Sequence, residues 1–118
     1  MNIEDFRNYC LSKKGVTEEL PFDETTLVYK VLGKMFALTD TDDEFKIAIK
    51  SDPEKAIELR ETYPDIVLPA YHMNKKHWIN VIMNHSIPDK IIISWIDESY
   101  GLVVKKLPKA KQKELDIE

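Results

Sequence analysis

Residues 44–50 alternate: Phe45, Ile47 and Ile49 interleave with Glu44, Lys46, Ala48 and Lys50. A period of two with one polar face specifies a strand in an antiparallel sheet that packs on one side and meets water on the other. Two β-rich runs precede it, residues 27–32 and 34–39, separated by Gly33 and followed by an acidic turn at 40–43. Connections this short join antiparallel neighbours, so the spacing predicts a three-strand meander.

Helical signals flank the meander. Asn2 caps a helix predicted over 3–14, with Asp5 in its first turn and a stripe of Ile3, Phe6 and Cys10. Gly15 fits the left-handed position after it. Ser51-Asp52-Pro53-Glu54 opens a second helix that stops at Tyr63-Pro64. Residues 66–69 read as extended, and the β-branched run 78–83 reads as a strand. Pro88 opens the longest helix, to about Leu107, along a stripe of Ile91, Ile92, Trp95, Ile96, Ser99, Leu102 and Val103. Pro108 ends it. Helices and strands do not alternate regularly, so a parallel βαβ fold is not expected. The predicted class is α+β. An antiparallel sheet, the meander plus one or two further strands, packs with N-terminal, middle and long C-terminal helices.

A chain of 118 residues fits one domain, here 1–118, with a basic tail at about 105–118. No apolar run approaches the roughly 18 residues that span a bilayer, and no secretory signal precedes the first helix, so the expected location is cytoplasmic. One cysteine excludes an intramolecular disulfide, and Cys10 reads as a buried small side chain. Net charge is −4, and five lysines between 105 and 113 leave −9 on the remainder. That balance argues against indiscriminate nucleic-acid binding but allows a local basic face. The lysine tail itself reads as a solvated, frayed terminus.

Few residues are arranged for catalysis. There is no glycine-rich phosphate loop, no paired-cysteine motif and no serine elbow. His72 and His77 do not converge on one metal in either a strand or a helix, so no metal, cofactor or enzymatic activity is expected. The segment 71–78 stands out. Tyr71, His72, Asn74, His77 and Trp78 set aromatic and hydrogen-bonding groups around the adjacent cations Lys75 and Lys76. That mixture suits phosphates with nearby bases, or a flat anion. The plainer reading makes the two aromatics core anchors.

Taken together, several runs resemble the YjbR/MmcQ-like family of small bacterial proteins. They are Gly15-Val16-Thr17-Glu18-Glu19 with Pro21-Phe22, Tyr29-Lys30-Val31 with 33–38, Lys50-Ser51-Asp52-Pro53-Glu54, 71–78, Ile87-Pro88-Asp89 and Asp97-Glu98-Ser99-Tyr100. The His-x-Asn-Lys-x-His-Trp element is the most specific. Two turns depart from the family pattern: Asp23 and His85 each stand where glycine is usual. The resemblance implies an α+β fold with hairpins likened to a double-wing DNA-binding arrangement, and no catalytic residues or cofactor. The expected partner is therefore DNA, contacted through Lys34, Lys46, Lys75, Lys76, His77 and the 105–113 lysines. The alternative is a small-ligand or protein-binding cleft formed by Tyr71, His72, Asn74 and Trp78. A monomer is the default state.

Overall fold

A computed structural model describes residues 1–70 and 73–115. The elements run α1 (Ile3–Leu11), β1 (Val16–Glu19), β2 (Thr26–Val31), β3 (Lys34–Asp40), β4 (Lys46–Lys50), α2 (Pro53–Thr62), β5 (Val67–Pro69), β6 (Trp78–Ile82), α3 (Asp89–Lys105) and α4 (Lys109–Leu115). The strands form one antiparallel sheet in the order β1-β2-β3-β4-β6-β5. The α+β class and the three expected main helices are present.

Local chemistry explains where each element starts. Asn2 accepts from Asp5 N at 2.8 Å and Asp5 accepts from Asn2 N at 3.1 Å, a reciprocal cap that opens α1. The helix stops at Leu11, earlier than predicted, because the Ser12 hydroxyl and amide take up carbonyls of its last turn. Gly15 does adopt the left-handed conformation, at φ +75°. Asp52 caps α2, with Pro53 in its first turn.

The meander extends one strand further than expected, to β1. Its residues Thr17, Glu18 and Glu19 look like loop, but Glu18 is drawn inward by two partners. Arg7 donates to both of its oxygens, at 2.9 and 3.0 Å, and the buried Tyr29 hydroxyl donates at 2.6 Å. The Arg7 guanidinium and, second to it among the favourable contacts, the Tyr29 hydroxyl hold the Glu18 carboxyl below its ordinary range.

The main core fills the space between one face of the sheet and helices α1 and α3. Phe6, Tyr29, Phe36, Ile47, Ile49, Ile79, Val81 and Ile96 are all buried there. Cys10 joins them, and burial pushes its thiol up to about 12. A β-bulge sits in β3: Tyr29 opposes Ala37 while Lys30 opposes Met35, leaving Phe36 as the extra residue. The bulge turns both Phe36 and Ala37 toward the helices.

The lysine-rich tail is not frayed through Leu115. Pro108 stops α3, yet its carbonyl accepts from the amides of Lys111 and Gln112 and so starts α4. Leu115 then meets Gly15, where an added Cβ would lie 2.5 Å from its Cδ2. No described helix is long and apolar enough to cross a membrane.

Candidate nucleic-acid interface

Strand register gives the sheet two chemically different ends. At one end lie the tight turn between β2 and β3, the last residue of β4 and the first of β6, where Val31 opposes Lys34 and Lys50 opposes Trp78. Ser99 ties α3 to this end. Its buried hydroxyl donates to Phe36 O at 2.6 Å and accepts from Lys50 N at 2.8 Å. The C-terminus of α3, with Lys105 and Lys106, follows two turns later.

Three lysines of this end come from three separate elements: Lys34 from the start of β3, Lys50 from β4 and Lys106 from the cap of α3. Among the described residues none of the three forms an ion pair. Burial, then the positive charges of Lys106 and Lys34, push the Lys50 ammonium below the ordinary lysine value. Its Nζ lies 5.9 Å from the centroid of the Trp78 ring.

The turn at 73–77 adjoins the same end. The Ser51 amide donates to His77 O at 2.8 Å, which seats His77 beside the end of β4. Asn74 closes the turn, accepting from Lys76 N at its side chain and from the His77 and Trp78 amides at its carbonyl. Lys76 is exposed, and Lys75 O accepts from Arg60 Nη1 at 3.4 Å. Tyr71 and His72, named above as candidates, lie outside the described residues.

Trp78 is a core anchor. It is 6 % exposed, in a small second cluster with Ala48 and Ala70, ringed by Met35, Leu38 and Met73. That cluster sits on the sheet face opposite the main helices, since Leu38, Ala48 and Asn80 align across it. Its ring is therefore not a free platform for a base. Lys46 is the other candidate placed apart. It opposes Ile82 at the far end of β4 and pairs with Asp43 at 3.2 Å. Lys34, Lys75, Lys76 and His77 are thus gathered at one end, and Lys46 is not. Sequence reasoning missed Lys50. The alternation had put it on the wet face, but only register shows what stands beside it.

The opposite end is acidic. Asp23 and Glu24 lie in one loop and Asp40, Asp42, Asp43 and Glu44 at the next, joined by Thr41 N donating to Thr25 O at 2.8 Å. Among the described residues no group of histidine, cysteine and carboxylate side chains is placed to hold a metal ion.

Comparisons with known proteins agree with this architecture. A family model described as YjbR matches residues 11–102. Escherichia coli K12 YjbR is 34 % identical over 114 residues, covering 96 % of this chain and 96 % of the relative. Bacillus subtilis YyaQ is 30 % identical, over 84 % of this chain and 95 % of its own. A solved structure from Deinococcus radiodurans superposes with a TM-score of 0.91 at 39 % identity, covering 99 % of this chain and 89 % of that one. A second, from Pseudomonas syringae, gives 0.71 at 29 % identity over 86 % and 98 %. With the family model matching most of its length and these relatives spanning nearly all of it, the chain belongs to the YjbR family.

Proposed function

We propose that the protein binds DNA through phosphate contacts made by the basic end of its sheet. The observation that carries this reading is that Lys34 and Lys106, from two other elements, bear on Lys50, while none of the three forms an ion pair among the described residues. Like charges held together in a fold raise its energy unless something outside neutralises them. A phosphate backbone supplies evenly spaced negative charge, and each contact releases a counterion. Lys76 and Lys105 are also exposed, Lys105 in a groove that it lines with Asp52 and Glu98.

The buried Trp78 ring assigns affinity to charge rather than to stacking, so sequence preference should be weak. The net charge of −4 is unevenly spread, with Asp23, Glu24, Asp40, Asp42, Asp43 and Glu44 at the far end of the sheet. A molecule polarised in this way orients its basic end toward a polyanion as it approaches.

The test is fluorescence anisotropy of a labelled duplex at increasing salt. Three to five phosphate contacts predict a log–log slope of about −3 to −4.5. No binding by micromolar protein at low salt would overturn the reading.

A further inference from the structure

α4 carries no buried residue, and seven residues are too few for a helix to persist in water without tertiary contacts. Described contacts hold it from Gln112 at its middle and from its last residue. Before it, Leu107 is buried and Gln112 Nε2 donates to Leu107 O at 2.8 Å. At its last residue, Leu115 rests on Gly15. Between these points α4 stands off α3 and the end of α1, leaving an open groove of about 850 Å³.

The lining of this groove has two chemistries. Tyr100 and Val104, four apart on α3, form an apolar floor that Leu115 continues. Lys109 and Lys113 share one face of α4 with the neutral Gln112 and form a cationic wall, which Lys14 joins from the turn after α1. Among the described residues no carboxylate lines the groove, and Lys14, Lys109 and Lys113 form no ion pair. Lys13 is committed elsewhere, 2.6 Å from Asp97 and close over the Tyr9 and Tyr100 rings. An apolar floor beneath unpaired cations complements a molecule with an anionic head and an apolar body.

We propose that the groove binds a single-chain anionic amphiphile. The chain lies along Tyr100, Val104 and Leu115, and a carboxylate or phosphate-monoester head sits among Lys14, Lys109 and Lys113. Neither Lys34 nor Lys50 lines the groove, so the proposal does not depend on DNA binding.

NMR titration of the full-length protein tests the proposal, with decanoate, decyl phosphate and decanol as probes. Saturable shifts centred on Val104, Leu115 and Tyr100 are expected with at least one anionic probe, and which one identifies the head. Decanol, lacking the charge, should bind about tenfold more weakly. Replacing the exposed pair Lys109→Gln and Lys113→Gln should weaken the anionic probe by about tenfold with unchanged melting. Val104→Trp, which fills the floor, should abolish binding, while Lys34→Glu should leave it unaltered. The proposal is overturned by any of three results: no saturable shift up to about 1 mM, shifts centred elsewhere, or binding indifferent to the head charge and to the lysine pair.

Discussion

The two ends of the sheet use charge in opposite ways. At the acidic end the carboxylates serve the backbone beside them. Asp23 accepts from the Thr25 and Thr26 amides, Asp40 from the Asp42 amide, and Asp43 from the Glu44 amide while pairing with Lys46. These contacts draw Asp23 and Asp43 below the ordinary carboxylate range. At the basic end Lys34, Lys50 and Lys106 do no such work: among the described residues none pairs with a carboxylate, and the charges of Lys106 and Lys34 both bear on Lys50. Charge at the first end shapes turns, and under the proposed reading charge at the second serves a partner.

Charge reversal is the strongest way to break this contrast. Lys34→Glu with Lys106→Glu should weaken duplex binding by about a hundredfold or more and reduce the salt slope by about two. Folding stability should hold or rise, because the reversal removes repulsion on Lys50. Asp42→Asn at the other end should leave affinity within about twofold, since screened charge that far away contributes little. Equal losses from both changes, read in the anisotropy titration, would mean that net charge alone governs binding.

The basic end also depends on one buried hydroxyl. Ser99→Ala would strand Phe36 O and Lys50 N, both held by that oxygen. Urea unfolding should show a loss of about 2 kcal/mol, the usual cost of unsatisfied buried groups. Because the bond fixes the end of β4 against α3, DNA affinity in the folded fraction should also fall. A destabilised variant with unchanged affinity would separate the cluster from its anchor.

Much of this was legible in the sequence, for reasons that differ by element. The alternation at 44–50 and the stripe on α3 are periodic, and burial follows period directly. β1 was missed because Glu18 looks solvated until Arg7 and Tyr29 are seen beside it. α4 was missed because its sequence lacks an apolar stripe; it is held by Gln112 on the end of α3 and by Leu115 against Gly15, distant in sequence. Of the candidate site, the 73–78 turn was found, though Asn74 and Trp78 prove to serve the fold. Lys50 and Ser99 became meaningful only through register, which pairwise spacing does not encode.

Backbone strain divides the ends again. His85, where the family pattern has glycine, takes φ +68°, and Leu32 at the other end takes φ +46°. His85 is exposed, and the turn is held by Asn84 Oδ1 accepting from Ser86 N at 3.1 Å. His85→Gly should therefore relieve strain and stabilise by about 0.5 kcal/mol. Leu32 packs against the main core, so Leu32→Gly should destabilise by about 1 kcal/mol despite the same relief. Matched thermal melts of the two variants should move in opposite directions.

Proton binding at Lys50 gives the smallest and most local test. Burial and its two cationic neighbours lower its folded value, so in the alkaline interval just below the ordinary lysine value the unfolded chain holds more protons than the native one. Stability contributed by this group therefore rises with pH across that interval, and is lowest where Lys50 is charged in both states. Lys50→Met should flatten the rise. Bound DNA should do the reverse of burial: phosphates stabilise the ammonium and return the Nζ titration, followed by NMR, toward the ordinary value. If saturating duplex leaves that titration unmoved, phosphate does not reach Lys50, and the interface must be redrawn around Lys76 and Lys105.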